Sequence, residues 1–269
     1  MTTSALRLKN VSKVFNAGSQ DEKRALDGIN LEIEPGDFVT IIGSNGAGKS
    51  TLLNVIAGTH APDGGTITIG DRDVTKSTDH KMARYVARVF QDPTMGTAGG
   101  LTIEENLSLA ERRGLPRRLR WGVTAQQRKR FRQVLKILDL GLETRLKQNA
   151  AMLSGGQRQS LTLLMATLSM PRILLLDEHT AALDPRTAEK VSGLTDRIVS
   201  EHRLTTLMVT HNMNQALRFG NRMVMLHQGR TQMDVAGEAK NCLSVRELVE
   251  KFGKSLKDET LLACDPELS

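Results

Sequence analysis

The chemistry in this chain is most concentrated in Gly43-Ser44-Asn45-Gly46-Ala47-Gly48-Lys49-Ser50-Thr51. The stretch follows the apolar run Phe38-Val39-Thr40-Ile41-Ile42 and precedes Leu52-Leu53-Asn54-Val55-Ile56-Ala57, whose apolar spacing suits a helix. It fits G-x-x-x-x-G-K-[ST] in the setting that pattern requires: strand, glycine-rich turn, helix. Glycines let the backbone curl until successive N–H groups converge on an anion. The helix N-terminus adds donors and a partial positive charge. Lys49 is expected to reach the β- and γ-phosphates of a nucleoside triphosphate, and the Ser50 hydroxyl to ligate Mg²⁺.

A phosphate loop needs an acidic element to hold magnesium and activate water. Ile173-Leu174-Leu175-Leu176-Asp177-Glu178 supplies both, as a fully apolar strand ending in two carboxylates. In an open α/β sheet, ligands bind outside the carboxyl ends of the strands. Asp177 is expected to hold Mg²⁺ through water, and Glu178 to polarise the attacking water. About twenty residues upstream, Leu153-Ser154-Gly155-Gly156-Gln157 opens a helix and reads as a second anion-binding turn. One chain has no use for two γ-phosphate sites, whereas a pair of chains does. One copy then clasps the nucleotide by its phosphate loop while its partner supplies Ser154 and the glycines.

Elements must position these groups. Ala5 to Lys9 alternate as a first strand, and Val11 to Phe15 continue it; Ala25 to Ile33 alternate again. Thr66 to Ile69 and Val86 to Phe90 are further strands, and Ile103 to Ala110 is helical. Phe131, Val134, Leu135, Ile137, Leu138 and Leu140 predict a helix up to Gly141, and another runs from Gly155-Gly156 towards Pro171. A helix over 186–200, a strand over 205–210 and a hairpin around Gly229 follow. The expected fold is therefore α/β, a mainly parallel sheet core with an antiparallel β region and a helical subdomain. The division expected is 1–237, with the helical subdomain inserted at about 92–170, and a helical tail over 238–269.

Bulk properties agree with a folded chain. It has 269 residues, 39% hydrophobic and 25% charged, with 3% aromatics, so the core rests on aliphatic residues and Met. No apolar run approaches the roughly 18–20 residues of a membrane span, and no signal peptide opens the chain. Cys242 and Cys264 lack metal-ligand spacing and read as reduced thiols. Net charge is +7 and the pI about 9.6, compatible with an anionic ligand, membrane surface or nucleic acid. Cations cluster through Arg112, Arg113, Arg117, Arg118, Arg120, Arg128, Lys129, Arg130 and Arg132, which a solvated helical face would also explain.

Together and in this order, these motifs resemble the ATP-binding subunits of ABC transporters, over roughly residues 5–230. The resemblance implies a P-loop NTPase of ABC type that hydrolyses ATP with Mg²⁺. It implies roles for Gly43 to Thr51 as the Walker A loop, Leu153 to Gln157 as the signature, and Asp177 with Glu178 as the Walker B aspartate and catalytic glutamate. It further implies Gln91 as the Q-loop glutamine, in contact with Mg²⁺ or water. Asp184 falls in the D-loop, acting across the dimer, and His211 is the switch histidine facing the γ-phosphate. Phe15 takes the adenine-stacking position. Three departures stand out. Phe15 replaces the more frequent Tyr. His179 replaces a common Pro, where it either perturbs Glu178 or, as favoured, caps the loop. The basic segment 112–132 is unusually long and cationic, suited to anionic lipid or a permease.

The resemblance narrows further, through Lys9 to Asn16, Gln91-Asp92-Pro93 and Asp177 to Pro185, to bacterial import systems, often for amino acids. It implies a homodimer, a separate integral membrane permease, an extracytoplasmic solute-binding protein and a peripheral place on the cytoplasmic face of the membrane, with no nucleic acid. An exporter of two components is the alternative. A soluble ABC protein acting on nucleic acid or ribosomes is disfavoured, because the chain has neither two cassettes nor a long coiled-coil insertion. A small-molecule kinase has no need of Leu153 to Gln157.

Overall fold

The structure, a computed structural model, describes residues 4–115 and 122–252. The chain divides into two compact units, one of Met1–Met82 with Arg203–Ser269 and the other of Ala83–His202. The first opens with β1 (Leu6–Phe15), β2 (Lys23–Ile33), β3 (Phe38–Ile42), α1 (Lys49–Ile56), β4 (Gly64–Ile69), β5 (Arg72–Asp73) and α2 (Asp79–Met82). The second holds β6 (Val86–Val89), α3 (Ile103–Glu111), α4 (Ala125–Leu135), α5 (Gly155–Thr167), β7 (Ile173–Asp177) and α6 (Pro185–His202). The chain then completes the first unit with β8 (Thr206–Val209), α7 (Met213–Arg218), β9 (Arg222–His227), β10 (Arg230–Ala236), α8 (Glu238–Asn241) and α9 (Val245–Phe252).

In the first unit, alternation in β1 buries Leu6 and Leu8 and turns Arg7 and Lys9 outward, which sets an antiparallel sheet of order β2-β1-β4-β5. A second layer runs β10-β9-β3-β8, with β3 parallel to both β8 and β9. All five residues of β3 are buried, as its unbroken apolar run requires. The hairpin β9–β10 turns through Gln228 and Gly229 at φ 48° and 76°, the left-handed pair a two-residue loop needs to match strand twist. The expected antiparallel region and parallel core are both present.

The C-terminal segment is part of this unit. Leu248 on α9 is fully buried with Ile42, Met213, Ala216, Met223 and Met225. Lys240 on α8 donates to the carbonyls of Phe219 and Gly220 just beyond α7, and burial pushes its amine down to about 8. The two compact units meet after Met82 and after His202. The apolar face of the last described helix belongs to the core. Residues 253–269, with Cys264, lie outside the described residues; Cys242 is an exposed free thiol.

In the second unit, β6 and β7 pair in parallel from Val86↔Ile173 to Val89↔Leu176. One helix differs from its expected span. It begins at Ala125, behind a capping box of Thr124 and Gln127, and ends at Leu135. A 3₁₀ turn over Lys136–Leu138 and left-handed Asp139 (φ 53°) replace the expected continuation to Gly141. Thr-x-x-Gln is a helix-start signal, masked here by the polar residues that follow it. The basic segment is also less cationic at its surface than its composition suggests. Arg128 on α4 forms two hydrogen bonds with Glu104 on α3, at 2.8 and 3.0 Å, and Arg130 pairs with Glu111. Arg117, Arg118 and Arg120 lie outside the described residues.

Because Leu248 is sealed between α7 and the end of β3, Leu248→Ala should lower the unfolding free energy by about 2–5 kcal/mol through lost burial and a residual cavity. Denaturant titration checks this, with the midpoint falling and the slope unchanged.

Candidate functional site

The phosphate loop leaves β3 at Gly43 and enters α1 at Lys49. Gly48 precedes the helix at φ 104°, and a Cβ there would stand 2.4 Å from the Ala25 carbonyl, so only glycine closes the turn. The loop is braced from both sides. Ala47 N–H donates to Ser44 O, Gly229 N–H to Ala47 O, and Asp27 N–H to Gly229 O. Lys49 is buried, and its ammonium donates to the carbonyls of Gly43 at 2.6 Å and Ser44 at 3.0 Å. The positive charge is therefore already curled inside the loop. Asn45, Gly46 and Ser50 are exposed, with Ser44 and Thr51 half-buried.

His211 follows the end of β8, the parallel neighbour of β3 in register Ile41↔Val209. Thr210 N–H bonds Ile41 O at 3.2 Å, which ties that strand end to the one feeding the loop. The switch-histidine position and the phosphate loop thus share one end of one sheet. Phe15 ends β1, half-buried rather than part of the core. His60 meets its ring edge-on at 5.4 Å and the Lys13 ammonium lies 5.6 Å from its centre.

In the second unit, β7 delivers Asp177 and Glu178, and β6 beside it leads to Gln91, which is exposed. Arg88 of β6 reaches Asp177: Nη2 donates to Oδ2 at 2.5 Å, each side chain about 15% exposed. The guanidinium also lies 4.8 Å from the Phe90 ring centre. Arg88 escaped the reading of the sequence. A charge inside the otherwise apolar Val86-Ala87-Arg88-Val89 was the available signal. Glu178 stands at φ 44°, a left-handed conformation costing a non-glycine residue about 1–2 kcal/mol.

The signature turn is a helix start. Ser154 accepts from Gln157 N–H at 3.3 Å, and Gln157 Oε1 accepts from Ser154 N–H at 3.1 Å. This capping box occupies both side chains. The first-turn amides of Gly155 and Gly156 have no intrahelical acceptor. Gly156 has a packing reason as well, since a Cβ would meet Thr187 Cγ2 at 2.1 Å. Thr187 in turn donates its N–H to Asp184 Oδ1 at 3.1 Å, and Thr187's hydrogen bonds, side chain first, hold the Asp184 carboxyl below the usual range.

His179 is a buried ring rather than a charge beside Glu178. It is 3% exposed, its Nε2 lies 2.9 Å from Thr195 Oγ1, and burial drives its pKa down to about 4. The ring next to Glu178 is neutral at neutral pH and fastens the turn to α6.

These features define an ATP-binding cassette. The chain matches the ABC transporter family over residues 26–181 and belongs to it. It is an ATPase, hydrolysing ATP to ADP and phosphate in the service of transport. It is 45% identical over 247 residues to a tyrosine transport ATP-binding protein of Clostridioides difficile (strain R20291), covering 92% of this chain and 98% of that one. It is 33% identical over 265 residues to a methionine import ATP-binding protein of Oceanobacillus iheyensis, covering 95% of this chain and 74% of that one. A dimeric ATP-binding cassette in a post-hydrolysis state with ADP and Pi superposes at a TM-score of 0.72 and 32% identity, covering 86% of this chain and 98% of that one.

His179 has a depressed folded pKa, so between about pH 6.5 and 4 the unfolded chain binds a proton that the folded chain refuses. Stability from this group is full above pH 6.5 and lost as pH falls towards 4, by about 3 kcal/mol. Unfolding measured across that range should show a shallower acid loss in His179→Gln than in the parent chain.

Proposed function

We propose that two copies of this chain bind two ATP molecules at a shared interface and close on them. Closure drives a separate integral membrane permease, and hydrolysis resets it. The observation that carries the reading is the start of α5. The exposed amide of Gly155 and the half-buried one of Gly156 form an anion-binding turn on a chain that already has a complete phosphate loop.

In this reading Lys49 and the amides of Gly43 to Thr51 hold the triphosphate, and Phe15 stacks on adenine. The partner copy's signature turn, through Ser154, Gly155, Gly156 and Gln157, closes over the γ-phosphate, with Asp184 acting across the interface. Glu178 takes up proton density from the attacking water, and His211 hydrogen-bonds the γ-phosphate. The hydroxyl of Ser50, the amide oxygen of Gln91 and the Asp177 carboxylate are hard oxygen donors that suit Mg²⁺, an ion usually held by one or two carboxylates, water and phosphate oxygens. When bound it would neutralise charge on the phosphates.

The direction is import and the cargo class amino acids, supported by the tyrosine-transport and methionine-import relatives. An extracytoplasmic binding protein then delivers the solute, and the ATPase sits on the cytoplasmic face of the membrane. Among the described residues no helix is long and apolar enough to cross a membrane, in keeping with a permease on another chain.

Glu178→Gln should cut hydrolysis to a small residual rate and produce a dimer on gel filtration only when ATP is present; a persistent monomer overturns the two-copy mechanism. Lys49→Ala should weaken ATP binding at least about tenfold, more than 1.4 kcal/mol, by calorimetry. The parent chain should be recovered from membranes with an integral permease. Recovery with ribosomes or DNA instead overturns the transport role.

A further inference from the structure

Gln159 lies on α5, two residues beyond the signature turn, and is fully buried. Its amide Nε2 donates twice: to the carbonyl of Phe90 at 2.9 Å and to the carbonyl of His179 at 2.6 Å. Phe90 immediately precedes Gln91, and His179 immediately follows Glu178. One side chain therefore holds the peptide group that leads into Gln91 and the carbonyl one residue beyond Glu178, from the helix that opens with the Ser154 turn.

The His179 carbonyl is an informative anchor. Glu178 occupies a left-handed backbone conformation at φ 44°. Such a conformation persists in a non-glycine residue only when its surroundings over-determine it. Ala181 N–H closes the turn on Glu178 O at 2.9 Å, and the His179 ring is held by Thr195. Gln159 adds a further tie, from α5. An amide donor is also the group the place demands, because both facing atoms are carbonyl oxygens. An apolar residue of equal volume would take this donor from the buried His179 carbonyl and the part-buried Phe90 carbonyl.

We propose that Gln159 is a positioning residue for ATP hydrolysis, a buried clamp that holds the strained turn carrying Glu178 and fixes it to the peptide leading into Gln91. The assignment rests on the reading of Glu178 as the group that activates water. Gln159 touches no nucleotide. It acts through the orientation of the Glu178 carboxylate, and a displacement of about 1 Å at such a group costs up to a hundredfold in rate.

The test is a kinetic cycle on the full chain. Gln159→Met keeps the volume and removes the donor. Its kcat for ATP should fall ten- to a hundredfold while KM, governed by the phosphate loop, stays within about twofold. In a Glu178→Gln background the same substitution should leave the residual rate unchanged. Gln159→Glu, protonated between two carbonyls, retains one donor and should recover part of kcat; it also carries the test if Gln159→Met does not fold. Wild-type kcat in Gln159→Met, a KM that rises in step with the loss, or an equal loss in the Glu178→Gln background would each overturn the clamp. If Glu178→Gln alone hydrolyses ATP at the parent rate, it is the underlying reading of Glu178 that fails.

Discussion

Glu178 leaves the end of a fully buried strand through a backbone conformation that an L-residue resists. Its surroundings are organised around that constraint. A strand buried on both faces must end abruptly where its carboxylates meet the ligand crevice, and a left-handed residue turns the chain at once. The cost is about 1–2 kcal/mol, small against the burial of Ile173 to Leu176 but large enough to need local support. Hydrogen bonds supply part of that support. Gln159 takes the His179 carbonyl, Thr195 takes the His179 ring, and Ala181 takes the Glu178 carbonyl. Hydrogen bonds have direction, so they fix the orientation of the turn as well as its position.

Charge is handled by the same economy of placement. Lys49 lies buried against two carbonyls of its own loop, so its ammonium is partly solvated by dipoles before any phosphate arrives. Asp177 is not an isolated anion either, since Arg88 from the neighbouring strand pairs with it in a half-dry setting. Removing one member of such a pair leaves an uncompensated charge, which makes Arg88 part of the acidic strand's design. His179 shows the opposite solution. A ring that could have carried charge beside Glu178 is kept neutral by burial. Elsewhere the net positive charge is partly internal, as Arg128 and Arg130 answer Glu104 and Glu111 between two helices.

Close approach explains residues that chemistry alone does not. Gly156 lies in the first turn of α5, where an added Cβ would meet Thr187 Cγ2 at 2.1 Å. The helix of the signature and the helix that follows Asp184 are thereby locked at contact distance. Methionines serve a comparable purpose in the other unit, where Met213, Met223 and Met225 fill the core around Leu248 in a chain with few aromatics.

Much of this was legible along the chain, because its signals are local. Glycines at Gly43, Gly46 and Gly48 before Lys49, the apolar run closed by Asp177 and Glu178, and the Ser154-Gly155-Gly156 turn each announce a backbone shape and a chemistry within ten residues. Those stretches determined the fold class, the nucleotide and the order of the motifs. What could not be read there depends on distant residues meeting. Arg88 and Asp177 are 89 positions apart, Gln159 and Phe90 are 69 apart, and Leu248 reaches Ile42 across most of the chain. Such pairs carry no local periodicity. Nor could the state of His179 be judged from its neighbours in sequence, because burial by the fold set it. Side-chain type and spacing sufficed to name the chemistry; only packing could say which polar groups lose water, and therefore which of them must be partnered, neutral or strained.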